Sequence, residues 1–433
     1  MTPVSIGTRP AAASARTPQA ALPDIVIVND ASYVNGGSSH VALLSAVALA
    51  RAGHSVIVFT ALEPIMHELT TEPNLRVVCT GQRDILSDPS RLRAAAQGIW
   101  NTEAASAFER LIDSLDATRT IVHFHGWTKA LSTSVVSVAV RRGFRVVVTL
   151  HEYFVACPLG SFYNHRKGSI CRLAPLGPNC IVENCDPRSY RDKLWRVARQ
   201  AVQRSVAGVP SGIRHFITIS DFSESIMAPL LPSGARLHRV TNPISVERVE
   251  PAPVAANTAF TYVGRLSPEK GAALFARAAA ELDLPAVFVG DGECAGEVRK
   301  LNPKAEITGW LPREAVNERL LAARALVFPS LWYETAGLVV SEAAALGVPS
   351  ISADTCAAKE RVAHGLTGLH FRGGDAVSLT QAMRLLTDAR LAATLGREAY
   401  RRYWETPEDM KRHLSELTRV YEAMLHEDCP VRR

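Results

Sequence analysis

Short β-branched strands alternate with helices along nearly the whole chain, and this alternation constrains the fold most. The run IVIV at 25–28 is apolar throughout, which is typical of a strand buried on both faces of a parallel sheet. Apolar side chains at helical spacing follow at 38–52. Further strands are predicted at 55–59, 121–124, 145–150 and 216–219, with a helix at 131–142. The pattern predicts a doubly wound parallel α/β sheet.

A second series of the same kind begins after a proline-rich stretch. Its strands are predicted at 260–263, 286–289, 324–329 and 349–353, and its helices at 272–282 and 338–346. Two such series predict two Rossmann-like domains that face each other across a cleft. Ligands of such sheets bind beyond the carboxyl ends of the strands, so the cleft is the predicted site.

The domain boundaries are predicted from these two series. Residues 1–23 are expected to be a disordered tail. They lack the apolar stretch of a secretory signal. An organellar transit peptide is the alternative, because no acid precedes Asp24. The N-terminal domain is predicted at 24–242 and the C-terminal domain at 243–408. A last helix at 409–425 is predicted to pack back on the N-terminal domain.

Composition and charge narrow the class of protein. The 433 residues are 47% hydrophobic and 21% charged, which excludes collagen-like and wholly disordered chains. No apolar run approaches the ~18 residues of a membrane span, so a cytoplasmic protein is expected. Residues 1–250 hold an excess of seven positive charges. Because no nucleic-acid motif is found, this favours an anionic membrane surface or a phosphorylated substrate as partner, and no nucleic acid.

Two motifs in the second half carry most of the chemistry. VGRLSPEKG at 263–271 places Arg265 and Lys270 on the loop that leaves a strand, where two cations suit a diphosphate. YETAGLVVSEA at 333–343 places Glu334 and Glu342 eight residues apart, a rise of about 12 Å along a helix. The helix start near Gly337 and Leu338 offers free N–H groups to an anion. Glu342 lies among apolar neighbours and needs a partner.

These motifs resemble those of the retaining glycosyltransferases of family 4, which have the GT-B architecture and a Glu-x7-Glu motif. The resemblance extends from Asp24 to about Leu425. It implies that Arg265 and Lys270 hold the diphosphate of a nucleotide-diphosphate sugar. It also implies that Glu334 meets the transferred sugar and that Glu342 binds the ribose hydroxyls. Neither a catalytic metal nor another cofactor is expected.

Two motifs of the first half agree with this resemblance. Gly36 and Gly37 stand between the first strand and the first helix, where the family's glycine loop borders donor sugar and acceptor; a simple tight turn is the alternative. His123 and His125 lie on the same side of a strand, so periodicity does not choose between them. The strand's exit favours His125 as the sugar-contacting histidine.

Other segments give weaker predictions. His151, Glu152 and Tyr153 follow a strand end and are expected on the acceptor side of the cleft. The turn at 290–293 resembles the family's Gly-Asp-Gly turn near the nucleotide. It also resembles a dinucleotide fingerprint, although its glycine spacing is off by one.

The long loop at 151–193 contains four cysteines, for which a structural zinc site and reduced thiols or disulfides are the alternatives; they are Cys157, Cys171, Cys180 and Cys185. Residues 188–204 hold six cations and one acid, with apolar side chains at helical spacing. Such a helix is expected either on an anionic membrane surface or against the core with a solvated basic face.

The sequence therefore predicts a metal-independent retaining glycosyltransferase of the hexosyltransferase type. It would move a sugar to a glycan or lipid-linked acceptor, in cell-surface polysaccharide or glycolipid biosynthesis, in the cytoplasm or at the inner face of the membrane. The alternatives are a dinucleotide-dependent oxidoreductase and a catalytically inactive protein that binds sugar nucleotides.

Overall fold

A computed structural model describes residues 22–427 of the chain. The tail predicted at 1–23 therefore lies, except for Leu22 and Pro23, outside the described residues. The strands are β1 Asp24–Val28, β2 Val56–Thr60, β3 Leu75–Cys79, β4 Thr120–Phe124, β5 Arg145–Thr149, β6 Tyr163–Asn164, β7 Ser169–Ile170, β8 His215–Thr218, β9 Arg236–Arg239, β10 Ala259–Val263, β11 Ala286–Val289, β12 Glu306–Gly309, β13 Ala323–Phe328, β14 Ser350–Ala353 and β15 Gly368–Phe371.

The helices surround these strands. They are α1 Gly37–Arg51, α2 His67–Thr71, α3 Arg91–Ile99, α4 Thr102–Ile112, α5 Ser134–Arg141, α6 Pro178–Val182, α7 Tyr190–Ser205, α8 Asp221–Met227, α9 Ala272–Glu281, α10 Ala295–Leu301, α11 Arg313–Leu321, α12 Leu338–Ala345, α13 Ala376–Leu385, α14 Ala389–Glu405 and α15 Met410–Leu425. None of the helices within 22–427 is long and apolar enough to cross a bilayer.

The first sheet is seven-stranded and parallel, in the order β3-β2-β1-β4-β5-β8-β9. Its central strand β1 pairs with β2 on one side and with β4 on the other, and Ile25 lies opposite both Val56 and Ile121. β1, β2, β4 and β5 are almost entirely buried because helices cover both faces. The chain reverses its winding direction between β1 and β4, which makes this point the topological switch of the sheet.

The second sheet is six-stranded and parallel, in the order β12-β11-β10-β13-β14-β15. Its winding reverses between β10 and β13, so the second switch point lies there. A buried cluster that includes Phe260, Phe288 and Leu326 fills the space between this sheet and its helices. Two doubly wound parallel α/β layers are the predicted architecture, and the prediction is confirmed.

The last helix lies on the first sheet rather than on the second. Four apolar side chains of α15 are buried in the cluster that contains Ile25 and Ile27 of β1; they are Leu417, Val420, Tyr421 and Met424. The Tyr421 hydroxyl is hydrogen-bonded to His123 Nδ1 at 2.7 Å. The chain therefore crosses from the first sheet to the second and then returns.

Candidate active site

The two switch points lie against each other, so residues from both halves of the chain meet there. Asn29 and Asp30 follow β1 and His125 follows β4, whereas Arg265 follows β10 and Glu334 lies beyond β13. Across the cleft, the Thr335 hydroxyl donates to the backbone carbonyl of His151 at 2.8 Å. The loop that carries Glu334 thus rests on the strand end next to His125.

His123 and His125 have different surroundings. Both ring nitrogens of His123 are engaged, Nδ1 by Tyr421 and Nε2 by Thr149 Oγ1 at 2.7 Å. His125 shares a hydrogen bond with His151, from Nδ1 to Nε2 at 2.9 Å, but its buried Nε2 has no partner within the described chain. His125 also lines a cavity of about 60 Å³ at the cleft, and His123 does not.

Burial keeps this histidine cluster neutral. The pKa of His125 lies well below its usual value because burial disfavours the imidazolium, and the neighbouring His123 and His151 add to the effect. Burial likewise lowers the pKa of His151 to about 3. A single proton therefore lies in the hydrogen bond between His125 Nδ1 and His151 Nε2. The remaining nitrogen of His125, Nε2, can form a hydrogen bond with a sugar hydroxyl.

Asp30, which was not among the predicted site residues, holds the loop after β4. Its buried carboxylate accepts three backbone N–H groups, from Lys129 at 2.9 Å, Ala130 at 2.8 Å and Leu131 at 3.0 Å. Burial raises the pKa of Asp30, whereas these hydrogen bonds lower it. Asp30 fixes the course of the segment that carries His125, and its position directly after an apolar strand could have indicated this.

Lys270 and Glu334 form an ion pair at the second switch point. The same carboxylate oxygen accepts the Trp332 indole N–H at 3.0 Å, and the Lys270 ammonium lies 5.3 Å from the centre of the Trp332 ring. The pair is mostly shielded from solvent but still opens to the cleft. Lys270 comes from the loop after β10 and Glu334 from the loop after β13, so the structure brings two predicted residues together from distant parts of the sequence.

Glu342 has the partner that its apolar surroundings require. The Arg313 guanidinium donates to Glu342 Oε1 at 2.8 Å. Burial raises the pKa of Glu342, and Arg313 opposes this shift. The sequence around Glu342 does not predict this partner, because Arg313 lies 29 positions away, at the start of α11.

The glycine turns around Arg265 are tightly packed against neighbouring backbone. Gly271 has φ of 72°, and a Cβ there would lie 2.0 Å from the Pro329 carbonyl oxygen. A Cβ at Gly290 would lie 2.0 Å from the Gly264 carbonyl oxygen. Gly290 therefore serves close backbone packing against the loop that carries Arg265. Arg265 itself is exposed and has no carboxylate within ion-pair distance in residues 22–427.

The other predicted donor residues lie at helix starts. Gly36 and Gly37 begin α1, and a Cβ at either position would have no neighbour within 4 Å, so this loop leaves open space. Gly337 precedes α12 with φ of 72°, and a Cβ there would lie 2.8 Å from the Ala358 Cβ. Leu338 is the first residue of α12, where backbone N–H groups lack intrahelical partners.

The three acceptor-side predictions have different outcomes in the structure. His151 and Glu152 line the cavity at His125. Loss of hydration raises the pKa of Glu152, although its side chain opens to the cleft, and Lys129 opposes the shift. Tyr153 differs from its prediction: it is fully buried in the core and packs edge-on against Phe162, with ring centres 5.2 Å apart.

The structure does not support a structural zinc site in the cysteine loop. Cys157, Cys171, Cys180 and Cys185 are free thiols. Within 22–427 no three His, Cys, Asp or Glu side chains are grouped so that they could hold a metal ion. Lys193, which is 1% exposed, instead donates to Cys180 Sγ at 3.6 Å. An ammonium group among the thiols disfavours a divalent cation there.

Comparison with protein families finds a match in the second half of the chain. Residues 247–402 match the model for glycosyl transferases group 1. The chain is 29% identical over 152 residues to the alpha-D-kanosaminyltransferase of Streptomyces kanamyceticus, which is 32% of this chain and 39% of that enzyme. It is 26% identical over 305 residues to the GDP-mannose-dependent alpha-(1-6)-phosphatidylinositol monomannoside mannosyltransferase of Mycolicibacterium smegmatis, which is 60% of this chain and 79% of that enzyme.

Solved structures show the same architecture over almost the whole chain. Sucrose-phosphate synthase from Thermosynechococcus elongatus has a TM-score of 0.68 at 18% identity and covers 93% of this chain and 99% of its own. Anabaena Alr3699/HepE in complex with UDP-glucose has a TM-score of 0.60 at 16% identity and covers 93% of this chain and 100% of its own. The fold is GT-B, as predicted, and residues 247–402 of its second half match the glycosyl transferases group 1 model.

Proposed function

We propose that this protein is a retaining glycosyltransferase that moves a sugar from a nucleotide-diphosphate sugar to a glycan or lipid-linked acceptor. Three observations carry the proposal: the Lys270–Glu334 ion pair at the second switch point, Arg265 without an ion-pair partner in residues 22–427, and a buried His125 Nε2 without a partner in the same residues. The group 1 match over the donor half supports it. The name of the Mycolicibacterium smegmatis relative, a phosphatidylinositol monomannoside mannosyltransferase, supports glycolipid or cell-surface polysaccharide biosynthesis as the setting.

In this proposal each residue has a defined task. Arg265 and Lys270 bind the donor diphosphate and stabilise the charge that develops on it. Glu334 and His125 hold hydroxyls of the transferred sugar, and the Glu342 carboxylate, oriented by Arg313, accepts hydrogen bonds from the ribose. Gly36, Gly37, Gly337 and Leu338 allow the donor close approach to backbone N–H groups.

In the proposed reaction no strong protein base is needed to take the proton of the acceptor hydroxyl. The bond between the anomeric carbon and the diphosphate oxygen breaks, and its electron pair leaves with the diphosphate. The acceptor hydroxyl attacks the same face, and its proton passes to a diphosphate oxygen. The new glycosidic bond therefore keeps the configuration of the donor. No metal takes part in these steps.

The experiment is a screen of nucleotide sugars by binding and by slow hydrolysis, with and without EDTA. We expect one nucleotide sugar to bind and to be hydrolysed, with activity unchanged by EDTA. A strict requirement for a divalent metal, or binding of a dinucleotide cofactor instead, would refute the proposal. Binding without turnover on any acceptor would favour the inactive sugar-nucleotide-binding alternative.

We further propose that α7 brings the protein to an anionic membrane surface. An ordinary surface helix buries its apolar side chains and exposes its polar ones, and in α7 this distribution is reversed. Its buried side chains are polar and include Lys193, Arg199 and Gln200. Its exposed stripe instead carries apolar residues at helical spacing, including Leu194, which is 42% exposed. The exposure of Leu194 supports the membrane proposal over the alternative in which the apolar stripe faces the core. Exposed apolar side chains flanked by arginines suit the boundary between headgroups and acyl chains.

Co-sedimentation with vesicles tests this membrane proposal. Leu194→Ser should reduce binding to vesicles that contain phosphatidylglycerol, and Val206→Ser, at a position 61% exposed just after α7, should add to the loss. Val377→Ser is the matched control, because Val377 is 66% exposed on α13 of the other domain. Equal sedimentation of all three variants, or no dependence on anionic lipid, would overturn the proposal.

A further inference from the structure

A cavity of about 620 Å³ extends from the cleft to the flank of α7. It shares Asn35, Lys129, Glu152 and Phe154 with the smaller cavity at His125, and it reaches Arg265 of the other domain. It is therefore continuous with the space where the proposed reaction takes place. Its size is that of a typical small-molecule site.

The walls of this cavity carry an unusual excess of positive charge. Seven cationic side chains line it, against three carboxylates. Only one of these cations, Arg196, forms an ion pair within the described chain, with Asp186 at 2.6 Å. Two of the carboxylates are occupied by local hydrogen bonds, Asp84 with backbone N–H groups and Asp192 with the Ser189 hydroxyl. The field inside the cavity therefore favours an anion.

Arg199 is the cation whose surroundings most require a partner. It is 5% exposed, and burial lowers its pKa to about 10, so that it stays charged. Its guanidinium lies 5.1 Å from the Phe154 ring centre and 5.3 Å from that of Trp195. Its hydrogen bond to the protein is from Nη2 to the Pro158 carbonyl at 3.1 Å. A guanidinium has five N–H donors in a fork that matches phosphate, so several donors remain for a ligand.

We infer that this cavity binds a phosphate or diphosphate group carried by the acceptor, with Arg199 and Arg191 as its ligands. Trp195 and Phe154 provide aromatic walls for the adjoining part of that molecule. The inference rests on the proposed function in taking the bound molecule to be the acceptor; the anion site itself does not depend on it. The phosphate can belong to a soluble sugar phosphate or to a lipid-linked sugar diphosphate.

Titration calorimetry with inorganic diphosphate tests the anion site. The Lys270→Ala background removes a donor-site cation, and we expect diphosphate binding to persist there. Adding Arg191→Gln should weaken it about tenfold, and Arg199→Lys should do the same because it keeps the charge but loses the fork. Arg191 is exposed, so its substitution leaves the fold intact. Arg277→Gln, at an exposed position on α9, is the control and should have no effect. Unchanged affinity after both substitutions would overturn the inference.

A second comparison separates the two sources of phosphate and the two proposals. Tighter binding of geranyl diphosphate than of inorganic diphosphate would indicate a lipid-linked acceptor, and equal binding would indicate a soluble sugar phosphate. Arg191-dependent diphosphate binding in a protein that binds no nucleotide sugar would refute the proposed function but not the anion site. Turnover of a phosphorylated acceptor with an unchanged acceptor KM in Arg191→Gln would refute the acceptor role instead.

Discussion

We expect single residues of the second half to have two kinds of effect. Some stabilise the charge that develops on the diphosphate in the transition state, and others bind the donor before the reaction. Arg265→Ala should lower kcat by roughly 10²–10³, because it removes a donor to the charge that develops on the diphosphate. Glu342→Ala should mainly raise the donor KM, because ribose contacts are made equally in ground and transition states. Steady-state kinetics with a varied nucleotide sugar measures both effects. Arg277→Ala is the control, and near-wild-type kcat in Arg265→Ala would place the donor elsewhere.

The buried histidines make stability depend on pH. In the unfolded chain a histidine takes up a proton below about pH 6.5, whereas in the folded state His151 stays neutral until about pH 3 and His125 also titrates well below its usual range. The unfolded state therefore binds more protons in this window, and stability falls as pH falls from 6.5 to 5, by up to about 1.4 kcal/mol per pH unit for each such histidine.

Urea denaturation at pH 7, 6 and 5 measures this loss of stability. His151→Gln should reduce the slope of the unfolding free energy against pH, because it removes one group that binds a proton only when the chain unfolds. His67→Gln, at an exposed position on α2, should leave the slope as it is. A slope that is the same in all three proteins would contradict the assignment.

At the scale of single elements, the packing of α3 on α7 depends on the absence of one side chain. A Cβ at Gly98 in α3 would lie 2.6 Å from Cζ2 of Trp195, so the indole fits only against a glycine. Gly98→Ala should therefore destabilise the protein by about 1–3 kcal/mol despite the better helix propensity of alanine. Gly296→Ala in α10 is the matched control, because a Cβ there has no neighbour within 4 Å and should be neutral or stabilising. Chemical denaturation distinguishes the two results.

The elements that the sequence predicted well are the buried ones. β1, β4, β10 and β13 are central strands with apolar runs, and all four were predicted to within two residues. The four edge strands β3, β9, β12 and β15 were all missed. In β3, β9 and β12 one face is partly exposed and the sequence mixes polar and apolar residues.

The candidate site, like the fold, could be predicted from the sequence only in part. Residues at the exits of central strands, such as His125 and Arg265, could be chosen from their local sequence. The position of Asp30 just after β1 was also visible in the sequence, but its partners were not, because they lie about a hundred positions away. Arg313 could not be chosen, because it lies 29 positions from Glu342. Tyr153 was misplaced for a related reason: a residue next to a strand end can turn either to the cleft or to the core.

At the scale of the whole molecule, α15 makes the first domain depend on the last part of the described chain. Leu417→Ala should cost about 2–5 kcal/mol, as expected for a buried leucine. Hydrogen exchange should show this as faster exchange in β1 and β4, with β10 unaffected. Leu379→Ala in α13 is the counterpart, because Leu379 is buried against the second sheet and should speed exchange in β10. Equal effects of both variants on both sheets would contradict this division.

Because α15 packs on the first sheet, it also sets the order in which the two halves can complete their folding during synthesis on the ribosome. The segment from β10 to α14 is continuous, so the second half can complete its own core as soon as it emerges. The first half is synthesised earlier but cannot complete its core, because Leu417, Val420 and Tyr421 are still missing over β1 and His123 Nδ1 lacks the Tyr421 hydroxyl. During synthesis, the nascent first half therefore exposes apolar surface for almost the whole time that the second half is being made, and such surface is prone to aggregation.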